Sequence, residues 1–248
     1  MILKSQTEDI YPHSKPIDKL VLNEAINLMI SEQKKSISSL ENNIQNLEKV
    51  INSILQKIKE SNHGRLIYSG AGTSGRIAVQ DGIELYPTFG WSDKRLSYIL
   101  SGGRKALYKT VENAEDNEIV AKRVSGKVKF TNKDILIAIS ASGNTPFTLK
   151  VLQIAKSKKA LTVVICNNPM AEMLKHSDLS IVLDTKEELV AGSTRLKAGT
   201  AQKACVNLIS TLVMCGLGNV KNGQMINMVP TNKKLILRKR KIDNITEN

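Results

Sequence analysis

The chain has 248 residues, 41% of them apolar, which is enough for one large domain with a hydrophobic core. Glycine and proline are too scarce for a collagen-like protein, and no apolar run is long enough to cross a bilayer. The first residues lack the apolar segment of a signal peptide, and three cysteines lack disulfide or metal-site spacing, so we expect a cytoplasmic protein without a metal. A net charge of +13 predicts an anionic partner: nucleic acid, a membrane or a phosphorylated metabolite.

The positive charge is unevenly distributed along the chain. Residues 1–60 are neutral overall, residues 61–220 carry a net +8 and residues 221–248 a net +5. The last part contains a basic cluster of Lys233, Lys234, Arg238, Lys239, Arg240 and Lys241. Because only 4% of the residues are aromatic, too few for a base-stacking surface, nucleic acid is a weak candidate and a solvated tail explains the cluster better.

The first predicted elements are two amphipathic helices between Ile17 and Ile58. Apolar residues recur there at helical spacing, and we place a break between the helices near Ser31. These helices form an N-terminal helical segment, residues 1–60.

After Gly64 the pattern changes to short apolar runs that end in glycine and serine. The predicted strands are 65–69, 96–100, 134–140, 161–166 and 179–183. The predicted helices are 75–85, 105–123, 146–157, 171–175 and 196–215. This alternation predicts an α/β fold over residues 61–230, with a five-stranded parallel sheet, helices on both faces and ligands at the carboxyl ends of the strands. Residues 231–248 form a basic tail.

Two predicted strands end in loops with similar chemistry. The first strand runs into Gly70-Ala-Gly-Thr-Ser-Gly75, and the third into Ser140-Ala-Ser-Gly-Asn-Thr145 before Pro146. Backbone N–H groups, helix dipoles and hydroxyls in such loops suit a phosphate monoester. The first loop also matches a dinucleotide fingerprint, but the second strand ends in Ser101-Gly-Gly without the acidic residue that would hold a ribose.

Five sequence blocks carry a resemblance to a known family. They are GRLIYSGAGTSGR (64–76), PTFG (87–90), AEDN (114–117), SASGNTP (140–146) and GSTRLKAGTAQK (192–203). In this order, over roughly residues 5–245, the chain resembles the N-acetylmuramic acid 6-phosphate etherases of the sugar isomerase (SIS) superfamily. The resemblance implies a three-layer αβα SIS fold and a homodimer that uses no cofactor.

The implied reaction removes D-lactate from the C3 ether of N-acetylmuramic acid 6-phosphate and leaves N-acetylglucosamine 6-phosphate, in cell-wall amino sugar recycling. Elimination is followed by addition of water, which requires one group to take a carbon-bound proton and one to protonate the leaving oxygen. The family pattern assigns these roles to Glu115 as base and Glu84 as acid. Without the resemblance, Glu115 would be part of an acidic helix face and Glu84 a solvated charge.

The remaining candidate residues are polar groups that would bind the substrate. They are Thr73, Ser74, Ser142, Asn144, Thr145, Glu188, Ser193, Thr194, Arg195 and Lys197. Hydroxyls and backbone donors orient an anion, and Arg195 and Lys197 would add positive charge for the phosphate or the lactyl carboxylate.

The sequence departs from the family pattern in four places. Leu85-Tyr86 replaces Cys-Pro, Asn144 stands where an arginine is usual, and Lys186-Glu187 replaces Gly-Pro before Glu188. The helical C-terminal domain of the family is absent from this sequence. A second hypothesis is therefore a sugar-phosphate sensor that binds without catalysis, like the glucokinase regulatory protein of the same superfamily. The presence of both Glu84 and Glu115 favours the enzyme.

Overall fold

The computed structural model describes residues 6–12, 15–61, 63–230, 233 and 235–239. Within these ranges the helices are α1 (Leu22–Glu41), α2 (Ile44–Lys59), α3 (Gly72–Ile83), α4 (Leu85–Phe89), α5 (Glu118–Val128), α6 (Pro146–Ser157) and α7 (Lys197–Gly216). The strands are β1 (Leu66–Gly70), β2 (Leu96–Leu100), β3 (Ile135–Ser140), β4 (Leu161–Cys166) and β5 (Leu179–Val182), followed by a small antiparallel pair, β6 (Val220–Lys221) and β7 (Gln224–Met225).

Strands β1 to β5 form one parallel sheet in the order β2-β1-β3-β4-β5. The predicted five-stranded parallel sheet is confirmed, and each strand lies within about one residue of its predicted bounds. Since the chain order reverses direction between β1 and β3, the loops after these strands meet at the carboxyl edge of the sheet, where α/β proteins bind ligands.

The two faces of the sheet bury two separate hydrophobic cores. Alternate residues of β3 divide between them: Ile135, Ile137 and Ile139 face the helices α2, α3 and α7, whereas Leu136 and Ala138 face α5 and α6. These layers form the three-layer α/β arrangement, and α1 packs on the outside of α7.

The predicted break near Ser31 is wrong. Helix α1 continues to Glu41, and the chain turns at Asn42 and Asn43 before α2. The Asn43 side chain holds this turn, donating to the Ser39 carbonyl oxygen at 2.9 Å and to the Val182 carbonyl oxygen at 2.8 Å. The second bond joins the turn to β5, a tertiary contact that local sequence periodicity cannot report.

The predicted helix over 105–123 is also wrong in its first part. A 3₁₀ helix spans Gly103–Leu107, turns follow, and α5 begins only at Glu118. Glycines with positive φ at 102 and 103 start this irregular stretch, and the Asn117 side chain caps α5 by accepting from the Val120 N–H. The short helix predicted over 171–175 is a 3₁₀ helix, Glu172–His176.

Among the described residues, no helix is both long and apolar enough to span a membrane. Most of the predicted basic tail, including Lys234, Arg240 and Lys241, lies outside the described residues.

Candidate active site

A cavity of about 300 Å³ opens at the carboxyl edge of the sheet. Four chain segments line it: the loop after β1, the loop after β2, residues 109–115, and the loop that precedes α7. Its lining residues are Gly72, Thr73, Arg76, Ser101, Ala106, Lys109, Thr110, Val111, Ala114, Glu115, Gly192, Ser193, Thr194 and Arg195. Three of these side chains are cationic and one is anionic, so the cavity favours an anionic ligand.

The loop after β1 needs its glycines. Gly70 and Gly75 approach so closely that a Cβ on Gly70 would lie 2.9 Å from the Gly75 nitrogen, and Gly72 has a φ of +52°. This tight turn opens directly into α3, with Thr73 on the cavity wall and Ser74 buried beside it.

Glu115 lies between the loops after β1 and β3. A Cβ on Gly72 would lie 3.0 Å from Glu115 Oε1, so the carboxylate sits directly over the first turn of α3. The Glu115 carbonyl oxygen accepts the N–H of Phe147, at 2.9 Å, at the start of α6. The carboxylate thus lies over the N-terminus of α3, while the backbone of Glu115 is bonded to the N-terminus of α6.

Glu84 is not brought to this cavity within one chain. It follows the last residue of α3, whereas Gly72 and Thr73 at the first turn of the same helix line the cavity. With a rise of 1.5 Å per residue, the two ends of α3 are about 17 Å apart. Glu84 is exposed on the surface of the molecule.

The polar groups of the loop after β3 mostly bond to one another. The Ser140 and Thr145 hydroxyls are 2.9 Å apart, and Ser142 Oγ accepts the N–H of Asn144 at 3.2 Å. Asn144 Oδ1 accepts the N–H of Glu172 at 2.8 Å, which ties the loop to the 3₁₀ helix. Ser142, Asn144 and Thr145 do not line the cavity, although their loop follows the strand next to β1.

The loop before α7 closes the cavity with Ser193, Thr194 and Arg195. This loop begins at Gly192, which has a φ of +73°. The Gly192 N–H donates to the carbonyl oxygen of the buried Thr7 at 2.9 Å. The N-terminal residues of the chain therefore support this loop from behind.

Glu188 and Lys197 are buried and do not line the cavity. The Glu188 carboxylate accepts the N–H groups of Lys197 and Ala198, at 3.2 and 2.9 Å, and so caps the start of α7. Burial raises the pKa of Glu188, and the two N–H bonds oppose that rise. The Lys197 amine lies 2.6 Å from Glu32 Oε2 of α1, with only 2% of the Lys197 side chain exposed.

Glu32 is the centre of this buried cluster. It also accepts from the Tyr11 hydroxyl, at 2.6 Å, and pairs with Lys35 at 2.5 Å. Burial acts to raise the pKa of Glu32, but the bonds from Lys197, Lys35 and Tyr11 outweigh it and lower the pKa to about 2. The predicted ligand role of Lys197 thus has a competing structural explanation, because its charge is already compensated.

Four polar cavity residues were missed by the sequence reasoning: Arg76, Ser101, Lys109 and Thr110. Arg76 stands at the end of the GRLIYSGAGTSGR block, so that motif could have indicated it. Ser101 and Lys109 lie in an irregular loop, and only the fold brings them to the cavity.

No group of three or more potential metal ligands occurs in the part of the chain that the structure describes. The cavity instead offers hydroxyls, cations and one carboxylate, a donor set suited to an organic anion and to proton transfer.

A parallel sheet in this order, with a polar, cationic cavity at its carboxyl edge, is a doubly wound α/β arrangement with a site for an anion, and comparison with known families identifies it as a SIS domain. Two family profiles agree: the glucokinase regulatory protein N-terminal SIS domain matches residues 46–156, and the SIS domain matches residues 112–212. The chain is 40% identical to the N-acetylmuramic acid 6-phosphate etherase of Bacillus cereus (strain AH187) over 242 residues, 98% of this chain and 82% of that protein. The etherase of Bacillus anthracis (strain CDC 684 / NRRL 3495) is 39% identical over the same shares. The chain belongs to the N-acetylmuramic acid 6-phosphate etherase family.

Solved structures agree on the fold. A putative phosphosugar isomerase from Bacteroides fragilis NCTC 9343 superposes with a TM-score of 0.62 at 18% identity, covering 82% of this chain and 95% of that one. The Vibrio vulnificus NanR protein complexed with ManNAc-6P gives a TM-score of 0.52 at 12% identity, covering 91% and 71%.

Proposed function

We propose that this protein is a carbon–oxygen lyase that releases D-lactate from N-acetylmuramic acid 6-phosphate and leaves N-acetylglucosamine 6-phosphate. The observation that carries the proposal is the placement of Glu115 in a cationic cavity, over the first turn of α3, in a member of the etherase family. The free cysteines among the described residues fit a reducing cytoplasm as the site of this amino sugar recycling.

The reaction assigns Glu115 the role of base. Opening of the sugar ring exposes an aldehyde at C1, which acidifies the proton on C2. Glu115 takes that proton, the electron pair forms a C2–C3 double bond, and the C3–oxygen bond breaks. A general acid protonates the departing oxygen to give D-lactate, and water then adds its hydroxyl at C3 and a proton at C2.

Glu84 serves as the acid, supplied by a second copy of the chain. The distance along α3 separates Glu84 from its own cavity, but two-fold symmetry that sets α3 antiparallel to its partner brings each Glu84 toward the other subunit's cavity. An exposed apolar surface on the same face of the sheet supports such a homodimer. Its members are Leu22, Ile26, Met29, Ile30, Ile37, Ile83 and Leu212.

Loops after β1, after β3 and before α7 supply the substrate contacts. Thr73, Ser193, Thr194 and Arg195 line the cavity, and Ser74, Ser142, Asn144 and Thr145 lie in the two loops whose helix N-termini flank Glu115. We assign the phosphate to those two helix N-termini, because their dipoles and the hydroxyls around them favour an anion.

The test is D-lactate release from N-acetylmuramic acid 6-phosphate by the purified protein. Glu115→Gln and Glu84→Gln should each reduce kcat by about 10²-fold or more, the usual contribution of a general acid or base. Glu112→Gln, on the same exposed acidic stretch but off the cavity wall, is the matched control and should retain activity. Full activity of both site variants would overturn the assignment, and binding without lactate release would favour the sensor.

A mixing experiment tests whether the two glutamates come from different subunits. After subunit exchange, a mixed dimer of Glu84→Gln and Glu115→Gln chains has one doubly altered site and one intact site. Equal mixing should therefore recover about one quarter of the wild-type activity. No recovery, in a sample shown to contain mixed dimers, would place both glutamates in one chain.

A further inference from the structure

The loop after β2 places an unsatisfied hydroxyl on the cavity wall. The Ser101 N–H donates to the Gly70 carbonyl oxygen at 3.1 Å, which fixes Ser101 beside the phosphate-type loop. Its side chain is buried, with the residue only 3% exposed, and within the described residues its hydroxyl has no hydrogen-bond partner. A buried hydroxyl without a partner is unfavourable, so an oxygen of a bound ligand would stabilise it.

Two cationic side chains, Arg76 and Lys109, line the same cavity as Ser101. The Arg76 Nε donates to the Ala106 carbonyl oxygen at 2.8 Å, which anchors the guanidinium to the loop after β2. Lys109 follows that loop, and its backbone N–H donates to the Lys105 carbonyl oxygen at 3.0 Å. The Lys109 amine joins none of the ion pairs found among the described residues. A hydroxyl, a guanidinium and an ammonium together form a suitable site for a carboxylate.

The position of this cluster in the sheet separates it from the proposed phosphate site. Strand β2 lies on one side of β1 and strand β3 on the other, so the loops after β2 and β3 are about 10 Å apart at two strand spacings. Glu115 lies at the first turn of α3, beside the middle of these three strands. A sugar with its C6 phosphate toward β3 and its C2 proton at Glu115 would direct its C3 substituent toward β2.

We infer that Arg76, Ser101 and Lys109 form the subsite for the lactyl carboxylate. This inference rests on the proposed function, since it names the residues that recognise the part of the substrate that the reaction removes. The subsite distinguishes substrate from product: N-acetylmuramic acid 6-phosphate carries the carboxylate and N-acetylglucosamine 6-phosphate does not.

The experiment compares the binding of these two sugar phosphates by calorimetry, in a Glu115→Gln background that prevents turnover. Lys109→Ala should weaken binding of N-acetylmuramic acid 6-phosphate about tenfold or more, the loss expected for one charge-assisted hydrogen bond. Binding of N-acetylglucosamine 6-phosphate should change by less than about twofold, because the lost contact is not made to that ligand. Ser101→Ala should act in the same direction with a smaller effect.

Matched variants keep the result interpretable. Lys105→Ala removes the same charge from the same loop but lies off the cavity wall, and should leave both affinities unchanged. Lys109→Arg retains the charge and should restore most of the preference. Unaltered thermal unfolding of each variant would show that the fold is intact.

Three results would overturn the subsite. In the first, Lys109→Ala weakens binding of both ligands equally, which would make Lys109 a phosphate contact. In the second, it weakens binding of neither. In the third, the Glu115→Gln protein without any change at Lys109 binds the two sugar phosphates with equal affinity. Failure of the proposed function has a different signature, since wild-type protein would then release no D-lactate whatever its binding preference.

Discussion

At the scale of single residues, the candidate base depends on a glycine for its position. Gly72 has a φ of +52°, and its missing side chain leaves the space that the Glu115 carboxylate occupies. Sequence alone did not single out Glu115, because Glu112, Asp116 and Glu118 surround it and give the appearance of a solvated acidic surface. Its special environment is created by Gly72, which is 43 positions earlier in the chain.

Gly72→Ala should lower kcat about tenfold or more, because displacing a catalytic group by a fraction of an ångström already impairs the reaction. The backbone cost should be about 1–2 kcal/mol of unfolding free energy. Gly218→Ala is the matched control: its φ is +81°, but nothing lies within 4 Å of the added Cβ. Steady-state kinetics and urea unfolding of both variants separate the two effects. Equal kinetic losses in both variants would contradict the contact with Glu115.

The buried pair of Glu32 and Lys197 predicts a pH dependence of stability. The pKa of Glu32 is lowered to about 2 in the folded state, so its ionised form contributes stability above the pKa of the unfolded chain. That contribution should be lost as the pH falls from about 4.5 to about 2, where the folded protein must also take up the proton. Glu32→Gln should flatten this part of the stability–pH curve, measured by urea unfolding at a series of pH values, whereas Glu24→Gln on the exposed start of α1 should not.

At the scale of elements, the regular strands and long helices were predictable and the loops were not. The central strands β1, β3 and β4 are almost fully buried, whereas the edge strands β2 and β5 are mostly half-buried. Short hydrophobic runs nevertheless located all five within about one residue. The turn at Asn42 and Asn43, by contrast, is held by a bond to β5, and the stretch after β2 has positive-φ glycines that break the apparent helix. A tertiary bond determines the first of these segments and backbone conformation the second, so hydrophobic periodicity could not predict either of them.

Gly143→Ala should destabilise the protein more than the strain of a positive φ alone. Its φ is +64°, and an added Cβ would collide with the Cβ of Ala171 ahead of the 3₁₀ helix. We expect a loss of at least about 2 kcal/mol in unfolding free energy, since about 1–2 kcal/mol comes from the backbone and overpacking adds to it. Gly218→Ala is again the control, because it measures the loss of unfolding free energy that a positive φ causes without any collision. Thermal and urea unfolding measure the difference, and equal losses would show that the loop moves freely away from Ala171.

At the scale of the whole molecule, the apolar stripe on α1 predicts the assembly. Leu22, Ile26, Met29, Ile30 and Ile37 lie along one exposed side of this helix. The fold class and the location of the cavity followed from the sequence pattern, but the residues that complete the cavity did not. Arg76, Ser101 and Lys109 converge only because the chain crosses from β1 to β2 and back to β3.

Ile26→Glu should convert the protein to a monomer, because a charge in the middle of an apolar interface is strongly unfavourable. The monomer should remain folded and lose lactate release, since no partner would then supply Glu84. Ser31→Glu adds the same charge to an exposed position on another side of α1 and is the matched control. Sedimentation velocity and kinetics on the same samples test this. A dimeric Ile26→Glu protein would show that α1 is outside the interface.

The Glu32–Lys197 pair also bears on the order in which the molecule is assembled. The two residues are 165 positions apart, so a ribosome releases α1, which already contains the pair of Glu32 and Lys35, long before Lys197 exists. Until α7 emerges, α1 lacks its main packing partner, and burying Glu32 without Lys197 is unfavourable. The loop that closes the cavity is joined to the same start of α7. We therefore expect a nascent chain to form its sheet first and to acquire a binding site only after α7 has been synthesised.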